Sequence, residues 1–181
     1  MNSYHRLAQE ARFGWEERHA LVSKYSWAIP NDEAIQAIVG LGKPVVELGA
    51  GNGYWASLLA EAGGTVECYD REPGGHTDRT GKTLWHPVVQ GNADVIGPQH
   101  KGHTLLLIWP PYDMPMGTEC LLRFMEAGGT SLVYVGEGNY GCTADDEFHR
   151  ILDTHWERES VVSIPQWRGI HDVLFVYSLR A

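Results

Sequence analysis

At 181 residues the chain has the length of one ordinary domain, enough to bury a core without metal or disulfide staples. A formal net charge of -9 argues against a general nucleic-acid binder, which gathers phosphates with a basic surplus. Cys68, Cys120 and Cys142 lie far apart with no CxxC pair, which disfavours a disulfide framework and a zinc site.

The N-terminal stretch MNSYHRLAQEARFGWEERH is polar, reads as helical, and lacks the apolar centre of a signal peptide. No run reaches the length of a membrane span, so a cytoplasmic protein with no membrane contact is expected. Asn31 or Asp32 is placed to cap a short helix with Ile35, Ile38 and Val39 on one face, stopped by Gly40. PVVELG then reads as a buried strand. Trp55, Leu58, Leu59 and Ala62 follow at helical spacing, and Gly63-Gly64 ends that helix. TVECYD is the next strand.

Residues 71 to 84 are rich in glycine, charge and turn formers and read as an exposed loop, with no room for a full crossover helix. HPVVQG is a weak strand pattern and HTLLLIW a strong one. A helix with Thr118, Leu121, Leu122 and Met125 on one face leads through Gly128-Gly129 to the strand TSLVYVG. Thr143 is the expected N-cap of a helix with Asp145 and Asp146 in its first turn and Phe148, Ile151, Leu152 and His155 on one stripe. Two last strands, ESVVSIP and DVLFVYSL, flank QWRGIH. Strands alternating with helices predict a parallel sheet covered on both faces. The short final connection predicts an antiparallel last pair.

The chemistry concentrates in Glu47-Leu48-Gly49-Ala50-Gly51-Asn52-Gly53-Tyr54-Trp55, between a strand and a helix. Glycines there let backbone approach a ligand closely. The dinucleotide fingerprint needs a third glycine where Tyr54 stands, and no Lys-Ser/Thr follows as a phosphate loop requires. The pattern E-x-G-x-G-x-G instead resembles the Rossmann-like S-adenosylmethionine (SAM) methyltransferases. That resemblance runs from about Val45 to the C-terminus. It implies a three-layer α/β fold with about seven mostly parallel strands, the last one antiparallel. Residues 1–42 would form a helical N-terminal cap and residues 43–181 the Rossmann-like core of a single domain.

By the same resemblance, Glu47, Gly49, Gly51 and Gly53 line the methionine end of the cofactor. Ala50, Trp55, Arg71, Ala93 and Trp109 belong to the same expected cofactor set. Asp70 ends the second strand about 20 residues past the first glycine, where a carboxylate can accept from ribose hydroxyls. In GNAD, Asn92 stands where the family often places an adenine-contacting Asp, and Asp94 is the other candidate.

LLLIWPPYD leaves the fourth strand on two prolines, beyond the strand ends where open parallel sheets bind ligands. The stretch is similar to the tetrapeptide of nucleic-acid amino methylases, Asp/Asn/Ser-Pro-Pro-aromatic, whose first side chain accepts from the target amine. Trp109 breaks that pattern, because indole donates and cannot accept. The carbonyls of Trp109 and Pro110 remain as acceptors. Trp109 and Tyr112 suggest a wall for a planar or cationic group, with Pro110, Pro111, Glu137 and Trp167 as further substrate contacts. Tyr112, Asp113 and His171 are the candidate catalytic groups. Gln166 and Arg168 share the loop of His171, and His76 in the long loop is a weaker candidate. Tyr25 and Trp27 either face the cofactor or pack in the core. The histidines show no metal-ligand spacing, so no metal is expected.

These readings converge on an enzyme that moves the sulfonium methyl of SAM to an acceptor, by alignment and exclusion of water. A small-molecule acceptor is expected, because the chain is short and acidic. The alternatives are a nucleic-acid amino methylase working with a partner, and a SAM-binding protein that catalyses nothing.

Overall fold

The computed structural model describes residues 2–10, 15–75, 84–138 and 140–181, so His76 lies outside the described residues. Three helices come first: α1 (Ser3–Glu10), α2 (Trp15–Lys24) and α3 (Asp32–Val39). The Asn31 side chain caps α3 by accepting from the Ala34 N–H. Strands and helices then alternate through β1 (Val45–Leu48), α4 (Tyr54–Glu61), β2 (Val66–Asp70), β3 (Val89–Gln90), β4 (Thr104–Ile108), α5 (Met116–Glu126), β5 (Ser131–Gly136), α6 (Asp146–His155), β6 (Trp156–Ser163) and β7 (Val173–Leu179).

The seven strands form one sheet in the order β3-β2-β1-β4-β5-β7-β6. β1 pairs in parallel with both β2 and β4, and β4 with β5. β7 runs antiparallel to both its neighbours. The chain order reverses at β1, between β2 and β4, which is the switch point where such sheets hold ligands.

Strand alternation divides the apolar side chains between two faces. Val46, Leu48, Leu105, Leu107, Leu132 and Tyr134 pack with Leu121 and Phe124 of α5 and with Phe148 and Ile151 of α6. Val45, Leu106, Val133 and Val135 pack with Ile35 and Ile38 of α3 and with Trp55 and Leu59 of α4. A third cluster joins Tyr4 of α1, Val22 of α2, Tyr25, Tyr54 and Trp167, and so ties the N-terminal helices to the core.

Several local expectations are corrected. On α5, Leu122 is exposed and Phe124 is buried, because the core meets this helix along Cys120, Leu121 and Phe124. On α6, His149 is buried and His155 exposed. Its cap is Asp145, whose carboxylate accepts from the Phe148 N–H; Thr143 is fully buried and satisfies Glu137 and Tyr134. β6 starts at Trp156, directly from the end of α6 and three residues before the expected strand.

Candidate functional site

Beyond the carboxyl ends of β1, β2 and β4 lies a cavity of about 720 Å³, within the usual range for ligand sites. The loop after β1 forms its floor. Gly49, Gly51 and Gly53 all adopt left-handed backbone, with φ of 74, 59 and 75°. That conformation favours glycine. Gly49, Ala50 and Gly51 line the cavity. Gly53 does not: a Cβ there would fall 3.0 Å from His86 and Val88, so its role is close packing against the segment before β3.

Asp70 holds this loop in shape. Its two carboxylate oxygens accept from the Gly51 N–H at 2.8 Å and the Glu72 N–H at 2.7 Å. Asn52 fixes the other side. Its amide and the Trp85 indole both donate to the Lys24 carbonyl, each at 2.8 Å. These bonds tie the end of α2 to the glycine loop and bring Val22, Ser23, Tyr25 and Trp27 into the wall.

Glu47 lines the cavity at 2% exposure, and its Oε2 has no hydrogen-bond partner among the described residues. Burial, and secondarily the neighbouring Asp70, pushes its carboxyl up to about 8. A buried, unpartnered carboxyl in a cleft marks a place where a ligand donor would be stabilising. Trp55, Arg71, Asn92 and Ala93 also line the cavity, whereas Asp94 does not.

The exit from β4 forms the opposite wall. The Trp109 N–H still donates to Val135 at the sheet edge, and its backbone then turns left-handed, with φ of 52°. Its indole stacks on Trp27, with ring centroids 5.1 Å apart and planes 10° apart. The Pro110 carbonyl accepts from the Ala144 N–H at 2.8 Å, so it is already engaged. The Trp109 carbonyl accepts no hydrogen bond among the described residues. Pro110, Pro111 and the exposed Tyr112 line the cavity, and Asp113 lies outside it.

Glu137, Trp167 and His171 also lie outside the lining. The Glu137 carboxylate accepts from the Cys142 N–H at 2.9 Å and from the His171 N–H at 2.7 Å. Burial pushes its carboxyl up, but these bonds outweigh burial and the net shift is down. The His171 side chain is 81% exposed. Gln166 donates to the Asp172 carbonyl, and Trp167 packs beneath α1 and α2.

Sequence reasoning missed Asn52, Glu119, Met116 and Asp172. The position of Asn52 between two loop glycines was a usable signal, whereas only folding shows that Asp172 is 1% exposed. Burial raises the Asp172 carboxyl to about 6, and the Trp109 indole works against that rise. Neither Asp172 Oδ1 nor Trp109 Nε1 makes a well-formed hydrogen bond, so the two face one another as a loose contact.

No family model matches the sequence, and comparison with curated proteins finds no relative. Solved structures do match. Magnesium protoporphyrin IX methyltransferase from Synechocystis PCC 6803, with bound SAM, superposes with a TM-score of 0.60 at 13% identity, covering 98% of this chain and 89% of that one. The 1,6-didemethyltoxoflavin-N1-methyltransferase of Burkholderia thailandensis, with bound 1,6-didemethyltoxoflavin and S-adenosylhomocysteine, gives 0.56 at 17% identity, covering 83% and 78%. The fold is the one these methyltransferases share. A protein of the NADB-Rossmann superfamily from Streptococcus agalactiae also matches, at 0.51 and 10% identity over 84% and 70%.

Proposed function

We propose that this protein is a SAM-dependent methyltransferase with a small-molecule acceptor. The observation that carries the reading is one cavity, at the switch point of a methyltransferase-type sheet, with a buried unpartnered carboxyl on one side and an aromatic wall on the other. The residues present fit SAM. Glu47 offers an acceptor to the ammonium of its methionine part, and the left-handed backbone at Gly49 and Gly51 leaves space beside it. Asp70 keeps a second lone pair on each oxygen for ribose hydroxyls, and Asn92 stands at the adenine end.

When bound, SAM supplies a methyl group already activated by its sulfonium. The protein then has to align and dehydrate. Effective alignment supplies roughly 7–11 kcal/mol of barrier lowering. Trp109 lines the cavity behind the more exposed Trp27, and Tyr25, next to the Lys24 carbonyl that Asn52 and Trp85 hold, lines the wall beside them. Because such chemistry needs a general base only when the acceptor carries a proton that must leave early, the placement of Asp113 and His171 outside the cavity is no obstacle.

Nucleic acid is the weaker acceptor. The net charge is -9, and Arg71 is the sole basic side chain among the described cavity residues. Among the described residues no helix is long and apolar enough to cross a membrane, and a cytoplasmic location fits Cys68, Cys120 and Cys142 standing outside any disulfide.

Isothermal titration with SAM and with S-adenosylhomocysteine tests the proposal. Both should bind, and Asp70→Ala should weaken both by roughly tenfold or more, since charged hydrogen bonds are worth about 1.5–3 kcal/mol each. Absence of binding at millimolar ligand would refute it. Binding without methyl transfer to any component of a small-molecule extract would leave a non-catalytic SAM-binding protein.

A further inference from the structure

The acceptor side of the cavity has a chemistry of its own. Trp27 is 40% exposed, Tyr112 66% and Met114 50%, and all three line the cavity rim. Soluble proteins expose such side chains singly more often than together at the mouth of a cleft. Behind the rim stand Trp109, whose indole stacks on Trp27, and the rigid Pro110-Pro111 turn. The charges are one-sided. From the exit of β4 through the first turn of α5, Glu119 is the only charged side chain in the wall, and Arg71 sits on the opposite, β2 side. Asp172, which faces the Trp109 indole, and Glu137 lie outside the lining.

Resting on the methyltransferase reading above, we infer that the acceptor is a flat heteroaromatic amine, neutral or cationic, laid against the Trp27–Trp109 pair and methylated on nitrogen. Flat rings gain offset stacking on indole, and a cation gains attraction from its negative face. A carboxylate or phosphate on the acceptor meets no cation on this side and meets Glu119. The reaction increases the match. The nitrogen lone pair forms the new N–C bond as the S–C bond breaks with its electrons to sulfur, leaving a neutral thioether. The positive charge therefore moves from sulfur to the acceptor nitrogen, against the aromatic wall. A proton carried by that nitrogen leaves to water through the open rim. An alkoxide or carboxylate acceptor would instead enter as an anion, where the wall offers nothing to hold it.

The test is titration of the protein saturated with S-adenosylhomocysteine, using three small-molecule probes, 4-aminoquinoline, quinoline-4-carboxylate and cyclohexylamine, and a single-stranded oligonucleotide for comparison. The expected result is binding of the aminoquinoline at least tenfold tighter than of either other probe, and at least a fivefold loss in Trp27→Ala with S-adenosylhomocysteine affinity retained. Equal binding of the carboxylate or of cyclohexylamine overturns the inference. So does loss of S-adenosylhomocysteine in Trp27→Ala, which would give the wall to the cofactor. A single-stranded oligonucleotide that binds tighter than the aminoquinoline overturns it in favour of a polymer. If S-adenosylhomocysteine fails to bind the wild type while the aminoquinoline binds, the methyltransferase reading falls and the ligand class stands.

Discussion

Glu47 shows most directly how a side chain is held in an unfavourable state until a ligand completes it. It stands in a strand flanked on both sides, so water is replaced by protein, and Oε2 receives no donor in exchange. With its carboxyl pushed up to about 8, it is mostly protonated at pH 7 in the free protein. A ligand ammonium beside it favours the ionised form. Binding of SAM at pH 7 should therefore release close to one proton. Titration in two buffers with different heats of ionisation measures that release directly. Glu47→Gln should abolish it and weaken binding by about tenfold or more. A binding heat independent of buffer would show that the cofactor makes no contact with this carboxyl.

At the scale of elements, the start of α6 separates what a sequence displays from what packing decides. Thr143 and Asp145 are both good capping residues, and spacing alone gives no reason to choose. The left-handed Ala144, φ 61°, turns the chain between them. Thr143 then faces inward, where its hydroxyl accepts from the Glu137 N–H at 2.9 Å, and Asp145 is left to cap. Asp145 also accepts from the Thr118 hydroxyl, joining α6 to α5. Asp145→Ala should cost about 1–2 kcal/mol in urea unfolding, the usual range for a cap with a further bond. Thr143→Val, which strands the part-buried Glu137 N–H while the Tyr134 hydroxyl keeps its bond to the Glu137 carbonyl, should cost about 1–3 kcal/mol.

The same distinction runs through the fold. β1, β4 and β5 were legible because their apolar runs are buried on both faces, as parallel strands require. The glycine loop was legible because left-handed turns need glycine. The side of α5 that faces the sheet was not, because Leu122 and Phe124 are equally apolar and only the approach angle of the helix selects Phe124. In the site, most lining residues of the glycine loop and of the β4 exit were found from their motifs, although Asn52 inside the glycine loop was passed over. Glu119 and Asp172 arrive from elsewhere in the chain and carried no local signal.

Over the whole molecule, two carboxyls raised by burial set the direction in which stability depends on pH. In the unfolded chain Glu47 and Asp172 titrate near their ordinary values of 4.5 and 3.8; in the native state burial puts them at about 8 and about 6. Between those values the native state holds more protons than the unfolded one. Stability from these groups is therefore fully present below about pH 4 and is lost as pH rises, through about 6 for Asp172 and about 8 for Glu47. Glu137, held below its ordinary value, acts in the opposite sense and gives up its contribution only as pH falls below about 4.5. The free protein should thus be most stable in mildly acid solution. Each pH unit between native and unfolded values is worth about 1.4 kcal/mol, so Glu47 alone has a ceiling near 5 kcal/mol. Thermal unfolding from pH 5 to 9 should show a falling midpoint in the wild type. Glu47→Gln and Asp172→Asn should each flatten part of that fall, over different pH ranges. Saturating SAM should flatten the part that belongs to Glu47, because the bound ammonium stabilises the ionised form. A double variant with the wild-type slope would mean that neither carboxyl is buried as described. A Glu47→Gln protein that is more stable at pH 8 yet binds SAM poorly would show that this carboxyl is kept for its ligand, at a cost to the fold.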